Sequence, residues 1–339
     1  MNNINWKELP FSYIKTDYNV RCYFKNGKWS EPEISESEYL NLHMASTCLH
    51  YGQEAFEGQK AFMGHDGKIR VFRLDENAKR MKHSARGILM EEVPEQLFTK
   101  CVILAISHNR RFVPPYESGA SLYIRPLLLG SGAEIGVKPS KEYTFIVFVS
   151  PVGPYFKEGF KPVNLVIYRD HDRAAPMGTG NVKIGGNYAA SMVADKKAKK
   201  EGYVAVLYLD AKYKKYIEEA GPANFFGIKK NTYVTPDSSS ILPSITNKSL
   251  QQLAKDMGMN VERRPVSIEE LNEFDEVGAC GTAAVISPIG KIYDEIEKKS
   301  YLYSKDGKPG PVCTELYHKL KAIQYGDEED SHNWNYLIE

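Results

Sequence analysis

Stretches of alternating apolar and polar residues interleave along this chain with stretches of helical period, and turn residues separate them. CYFK and KWS flank Asn26-Gly27, a pair suited to a two-residue hairpin turn. FEGQKAFM and IRVFR flank a second turn, His65-Asp66-Gly67-Lys68. Asp75 reads as the N-cap of a helix over 75–87, and a second helix over about 95–110 stops before Pro114-Pro115. Apolar strands follow at 121–129 and 143–150. SPVGPYFKEGFKP, 150–162, carries three prolines and two glycines and breaks both periods. Beyond it the pattern predicts a strand at 164–169, a glycine-rich loop, a helix at about 187–201, and strands at 203–209, 223–229 and 231–235. Thr246 or Asn247 reads as the cap of a helix ending before Gly258. Ser267 with Glu270 has capping-box spacing. A last helix falls near 311–324, ahead of an acidic tail, GDEEDSHNWN, expected to fray. The interleaving predicts α+β or mixed α/β architecture, not a doubly wound parallel sheet. Two domains are expected: 1–150, then a linker over 151–163, then 164–339 carrying Lys183.

Charge and cysteine usage narrow the function. Lys and Arg number 44 against 43 Asp and Glu, a formal net charge of +1, which lacks the basic excess of a nucleic-acid surface. KKAKK at 196–200 lies at helical spacing and reads as a solvated face. Cys22, Cys48, Cys101, Cys280 and Cys313 form no CxxC pair, so neither a zinc knuckle nor a disulfide framework is expected, and a reducing, cytoplasmic setting is. The start, MNNINWKELPFSY, has no signal-peptide pattern. The longest apolar run, 143–153, is too short for a bilayer and reads as a buried strand. Eight histidines without ligand spacing predict no metal site. HDRAAP holds His171 and Asp172 without a nucleophile elbow, so no hydrolase triad is supported.

The candidate chemistry centres on GTGNVKIGGNYAA, 178–190. Gly185 and Gly186 would let the backbone turn tightly and approach a ligand. Lys183 could then be held in a pocket, where a lowered pKa makes a lysine amine a nucleophile toward carbonyls. ILPSITNKSLQQL (241–253) puts a loop before a helix, so amides at Ile245 and Thr246 would face an anion; Thr282 in CGTAA adds a hydroxyl. Arg80 in NAKRMKHSA is a phosphate fork or a surface helix cation. Glu218 and Glu219 in IEEAGPANFF are ring-nitrogen partners or an exposed acidic turn. In SLYIRPLLLG, Tyr123 and Arg125 share one strand face. That face could receive a carboxylate, or Arg125 could pair with a core glutamate.

Eight motifs in one order (FEGQKAF, NAKRMKHSA, SLYIRP, PVGPYF, NVKIGGNY, EEAGPANFF, ILPSITNKSL and CGTAA) resemble the branched-chain amino acid aminotransferases. These are pyridoxal-phosphate enzymes of fold type IV, and the resemblance spans about residues 10–325. It implies transamination of leucine, isoleucine and valine with 2-oxoglutarate by a two-domain homodimer. Lys183 resembles the lysine that bonds the cofactor, Arg80 the phosphate arginine, and Tyr188 the donor to the phenolic oxygen. Glu219 resembles the ring-nitrogen partner, and Ile245, Thr246 and Thr282 the phosphate loops. Tyr51, Phe56, Tyr123, Arg125, Tyr155, Thr282 and Ala283 fall at substrate-pocket positions. The chain departs from the pattern at Ala284 and Ser287, where vertebrate members carry a CxxC, and at Pro222 after Gly221. The rivals are a D-amino acid aminotransferase or an aminodeoxychorismate lyase of the same fold, and a catalytically silent binding protein; SLYIRP and the chain length favour the branched-chain enzyme over the first two.

Overall fold

The computed structural model describes residues 4–153, 159–304 and 306–339. Its helices are α1 (Thr47–Tyr51), α2 (Leu74–Gly87), α3 (Glu95–His108), α4 (Gly185–Lys200), α5 (Ile245–Asp256) and α6 (Pro311–Tyr325). The first strands are β1 (Asn19–Lys25), β2 (Lys28–Trp29), β3 (Glu33–Ser35), β4 (Glu54–Phe56), β5 (Gln59–Met63), β6 (Ile69–Phe72), β7 (Ser121–Gly130) and β8 (Tyr143–Val152). Then come β9 (Val163–Ile167), β10 (Ala205–Leu209), β11 (Ile217–Ala220), β12 (Ala223–Lys229), β13 (Thr232–Pro236), β14 (Asn260–Arg264), β15 (Glu276–Gly281), β16 (Val285–Asp294), β17 (Lys299–Leu302) and β18 (Asn335–Ile338).

Contacts divide the chain into two compact units. The first comprises Met1–Lys157, Val182–Gly185 and Ala322–Glu339; the second comprises Glu158–Asn181 and Gly186–Lys321. The last strand of the first unit before the second begins, β8, ends at Val152. The segment bearing Lys183 groups with the first unit rather than with the C-terminal part, because Val182 and Ile184 are buried in the first unit's core.

In the first unit the sheet order is β18-β6-β5-β7-β8-β1-β2, with β3 on β1 and β4 on β7, and these pairings are antiparallel. Asn26 (φ 52°) and Gly27 (φ 76°) make the expected hairpin turn, which pairs Phe24 with Trp29. In α2, Leu74, Ala78, Met81 and Ala85 recur at helical spacing and are buried in the core. A second buried stripe on the same helix is polar, with Asn77 and Ser84 buried and the Arg80 side chain nearly so. From α3, Phe98, Cys101, Val102, Ala105 and Ile106 enter the same core, where Phe98 meets Phe145 of β8 at 5.7 Å between ring centroids.

In the second unit the order is β11-β10-β9-β16-β15-β12-β13-β14, and β11 also pairs with β12. That last pairing closes six strands into a ring, which removes exposed sheet edges among them. Leu165, Leu207, Phe225, Val277 and Ile292 belong to its core cluster. Ala194 and Ala198 of α4 pack with Val166, Tyr168, Val206 and Tyr208, small residues letting the helix approach the strands. The lysines of KKAKK are mostly exposed.

Several local expectations give way to tertiary partners. Arg73, not Asp75, holds the N-cap position of α2, and Asp75 and Glu76 instead place negative charge in its first turn. Ser244, not Thr246 or Asn247, caps α5: its Oγ accepts from the Asn247 amide at 3.2 Å. Gly258 does follow the helix in the left-handed region (φ 75°). The Ser267–Glu270 capping box is present, on the short segment Ile268–Asn272.

The acidic tail does not fray. It leads into β18, which pairs with β6. Trp334 is 9% exposed and meets Phe72 edge-on at 5.7 Å, and its carbonyl accepts from Arg73 N at 2.7 Å. Trp334→Ala should therefore cost about 3 kcal/mol or more and lower the urea midpoint of unfolding. An unchanged midpoint would show that this ring does not hold the tail.

Candidate active site

The lysine segment is pinned by its backbone. Lys183 N donates to Ser84 Oγ at 2.9 Å, and Lys183 O accepts from Phe56 N at 3.1 Å. A Cβ on Gly87 would lie 2.6 Å from a Val182 methyl, so glycine there admits the segment against α2. Two residues on from the lysine, Gly185 N donates to Glu54 Oε1, and a Cβ on Gly185 would lie 2.2 Å from that oxygen. Gly185 therefore serves close approach at the start of α4, not the tight turn expected of it, while a Cβ on Gly186 would meet nothing within 4 Å. Burial lifts the pKa of Glu54.

With its backbone fixed, Lys183 projects an amine whose Nζ lies 4.7 Å from the Phe56 ring centroid. Desolvation lowers its pKa to about 8. Arg80 pushes in the same direction and Glu57 opposes it; the Tyr123 phenol also raises the value, and Arg125 lowers it. Arg80 is no surface cation. Its side chain is 9% exposed and forms a bidentate pair with Glu57, whose side chain is fully buried: Nε to Oε1 at 2.8 Å and Nη2 to Oε2 at 2.7 Å.

The residues of β4 and β7 expected at the substrate pocket meet in the same unit. Arg125 Nη2 donates to the Tyr123 hydroxyl at 3.1 Å, as a shared strand face requires. The Arg125 guanidinium lies 4.9 Å from the Phe56 centroid. Gly58 must lack a side chain, because a Cβ would sit 2.1 Å from the Tyr123 hydroxyl oxygen. Tyr51 stands apart on α1: it is exposed, and its hydroxyl donates to the Ile135 carbonyl. Tyr155 lies outside the described residues.

The second unit holds the remaining set. Glu219, whose side chain is 4% exposed, sits on β11. Its Oε1 accepts from Asn224 Nδ2 at 3.0 Å and from Leu242 N at 2.9 Å. Arg173 Nε lies 2.7 Å from Oε2, with the Arg173 side chain 6% exposed. Neither Glu218 nor Glu219 is an exposed turn; burial raises the pKa of Glu218. Asn224 passes the network on to Asn247, whose Nδ2 donates to Asn224 Oδ1 at 3.1 Å and to Thr235 Oγ1 at 2.8 Å, and whose Oδ1 accepts from Tyr233 at 2.8 Å. Ile245 and Thr246 occupy the first two positions of α5, where amides lack intrahelical acceptors. Thr282 and Ala283 form the turn between β15 and β16, which leaves Val285 at φ 65°, a costly value for a β-branched residue. Tyr188 is half-buried in the first turn of α4.

The family model for amino-transferase class IV matches residues 54–292. The branched-chain-amino-acid aminotransferase of Haemophilus influenzae is 46% identical over 346 aligned positions that span both chains completely. This chain belongs to the branched-chain aminotransferases, within class IV. The crystal structure of the Escherichia coli branched-chain amino acid aminotransferase matches with a TM-score of 0.81 at 28% identity, covering 96% of this chain and 100% of that one. A second branched-chain amino acid aminotransferase, from T.th., solved with pyridoxamine 5′-phosphate, matches with a TM-score of 0.80 at 25% identity, covering 96% of this chain and 100% of its own. The family resemblance and the mixed α/β, fold type IV class expected from the motifs therefore hold.

Sequence reasoning passes over Glu57, Arg173 and Asn224, and reads Asn247 only as a candidate helix cap. Glu57 stands inside a family motif, FEG, and Arg173 inside HDRAAP, where the His and Asp draw the attention. A depressed pKa lets Lys183 react at lower pH than an ordinary lysine. In protein stripped of cofactor, its acylation by an amine-selective ester should half-rise near pH 8, since only the deprotonated amine attacks. Peptide mass spectrometry would locate it; a half-rise at about pH 10, where an ordinary lysine titrates, would contradict the assigned environment.

Proposed function

We propose that this chain catalyses reversible amino transfer between L-leucine, L-isoleucine or L-valine and 2-oxoglutarate, with pyridoxal 5′-phosphate as cofactor. The observation that carries this reading is the Lys183 amine: pinned through its backbone, desolvated, and titrating near pH 8. About a tenth of such an amine is uncharged at pH 7, against well under a thousandth of an ordinary lysine.

The donor set suits a phosphorylated pyridine aldehyde. Lys183 offers the amine, and Arg80, the α5 amides of Ile245 and Thr246, and Thr282 offer donors for a phosphate. The Glu219 carboxylate, fixed by Arg173 and Asn224, suits a protonated ring nitrogen, and the Tyr188 hydroxyl suits the phenolic oxygen. When bound, the cofactor supplies a carbonyl for the amine and an electron-accepting ring. Lys183 would hold it covalently, and its freed amine would move a proton to and from the substrate Cα as general base and acid. Glu219 would keep the ring nitrogen protonated. Phe56 offers an aliphatic side chain an apolar wall, and Arg125 with Tyr123 offers a carboxylate two donors; Ala283 and the Tyr51 and Tyr155 positions complete the substrate set. Each methylene discriminates by only about 1–3 kcal/mol, so breadth among aliphatic substrates follows. Both half-reactions use one site, which gives ping-pong kinetics.

The finer reading is a cytoplasmic homodimer. Exposed Tyr39, Met44, Leu49, Ile135 and Val137 in the first unit suit a second copy. The cysteines are free, which suits a reducing compartment. No helix among the described residues is long and apolar enough to cross a membrane.

A panel of L- and D-amino acids with 2-oxoglutarate tests the reading. Turnover should favour L-leucine, L-isoleucine and L-valine, and Lys183→Ala should abolish both turnover and the visible band of lysine-linked cofactor. A preference for D-substrates, release of a keto acid without an acceptor, or multiple turnovers by Lys183→Ala would overturn it.

A further inference from the structure

We propose that Glu57 is a positioning residue: its buried carboxylate fixes the plane of the Arg80 guanidinium and so sets how that guanidinium is presented to a phosphate. The inference rests on the reading of Arg80 as a phosphate ligand. An arginine side chain has several rotatable bonds, and a bidentate carboxylate fixes both its plane and its reach. Here Nε and Nη2 are both committed to Glu57.

The carboxylate is itself held rigidly. Glu57 N donates to Pro126 O at 2.8 Å, and Gly58 N donates back to Glu57 Oε2 at 3.3 Å. Gly58 in turn cannot shift toward β7, because the Tyr123 hydroxyl fills the space its Cβ would need. The dipeptide Glu57-Gly58 thus ties the arginine on α2 to the pocket tyrosine on β7. A buried pair on its own is weak evidence for stability, since an apolar replacement of similar volume often serves as well. Its placement argues for a role at the site, because the Lys183 amine senses both members of the pair in opposite directions.

Two variants separate position from charge. Glu57→Asp keeps the charge but is one methylene too short for the bidentate grip; Glu57→Gln keeps the length but loses the charge and one acceptor. Protein stripped of cofactor is titrated with inorganic phosphate by calorimetry and with pyridoxal 5′-phosphate by absorbance, and unfolding midpoints are recorded alongside. Both variants should raise the two dissociation constants about tenfold or more, the scale of one charge-assisted hydrogen bond. In an Arg80→Gln background the same changes should have no further effect.

Tighter phosphate binding by Glu57→Gln with Glu57→Asp unchanged would show a charge effect only and overturn the proposal. Unchanged constants with lowered midpoints would reduce the pair to a structural one. Should Glu57→Gln fail to fold, Glu57→Asp decides. If Arg80→Gln itself binds phosphate normally, the reading of Arg80 fails; if it loses binding while the Glu57 variants keep theirs, only the role of Glu57 fails.

Discussion

The proposed chemistry depends on keeping one amine dry enough to shed its proton. Removing an ammonium from water favours its neutral form, and a nearby guanidinium adds to that push. Unopposed, the two effects would lower the Lys183 pKa further. Glu57 and the Tyr123 phenol act against them, and the balance places the amine near pH 8. The rest of the first unit is arranged so that this balance survives. Ser84 and Phe56 fix the lysine backbone, Glu54 holds the next amide but one, and glycines at 58, 87 and 185 clear the space that these contacts occupy.

Polar burial of this kind is costly unless its groups find partners. In the second unit the Glu219 carboxylate has such partners, while Glu218 Oε2 beside it has no hydrogen-bond partner among the described residues. Asn224 and the Leu242 amide donate to the Glu219 carboxylate, Arg173 forms an ion pair with it, and Asn247 extends the network to Tyr233 and Thr235. Asn247 also lends its amide to the Ser244 cap, so one residue joins the start of α5 to the support of Glu219. A helix terminus placed this way is difficult to shift without disturbing the carboxylate.

Much of this is legible in the sequence, and what is not has a common physical origin. Local signals hold: Asn26-Gly27 makes its hairpin turn, and strand alternation brings Tyr123 and Arg125 onto one face. The glycines around Lys183 mark its segment as special, although Gly185 serves close packing rather than turning. Signals that depend on distant partners fail. Nothing near Trp334 reveals that its ring packs on Phe72, so the tail reads as frayed. Glu57 and Arg173 look like ordinary charged residues until the fold delivers Arg80 and Glu219 to them. Asp75 and Thr246 are reasonable caps by residue type, but the helices start elsewhere because flanking residues are held by other elements.

The path of the chain has a further consequence, for biogenesis. The first unit takes its edge strand, β18, from residues 335–338, and its lysine segment from the middle of the chain. Neither piece exists while β1 to β8 emerge from the ribosome, so the nascent sheet carries an open edge at β6 until β18 has been made. Such late, long-range pairing slows maturation and exposes a strand that can join the wrong neighbour. The amine at residue 183 is thus set in a half-built scaffold, and the sheet beneath it is completed only once that distant strand is laid down.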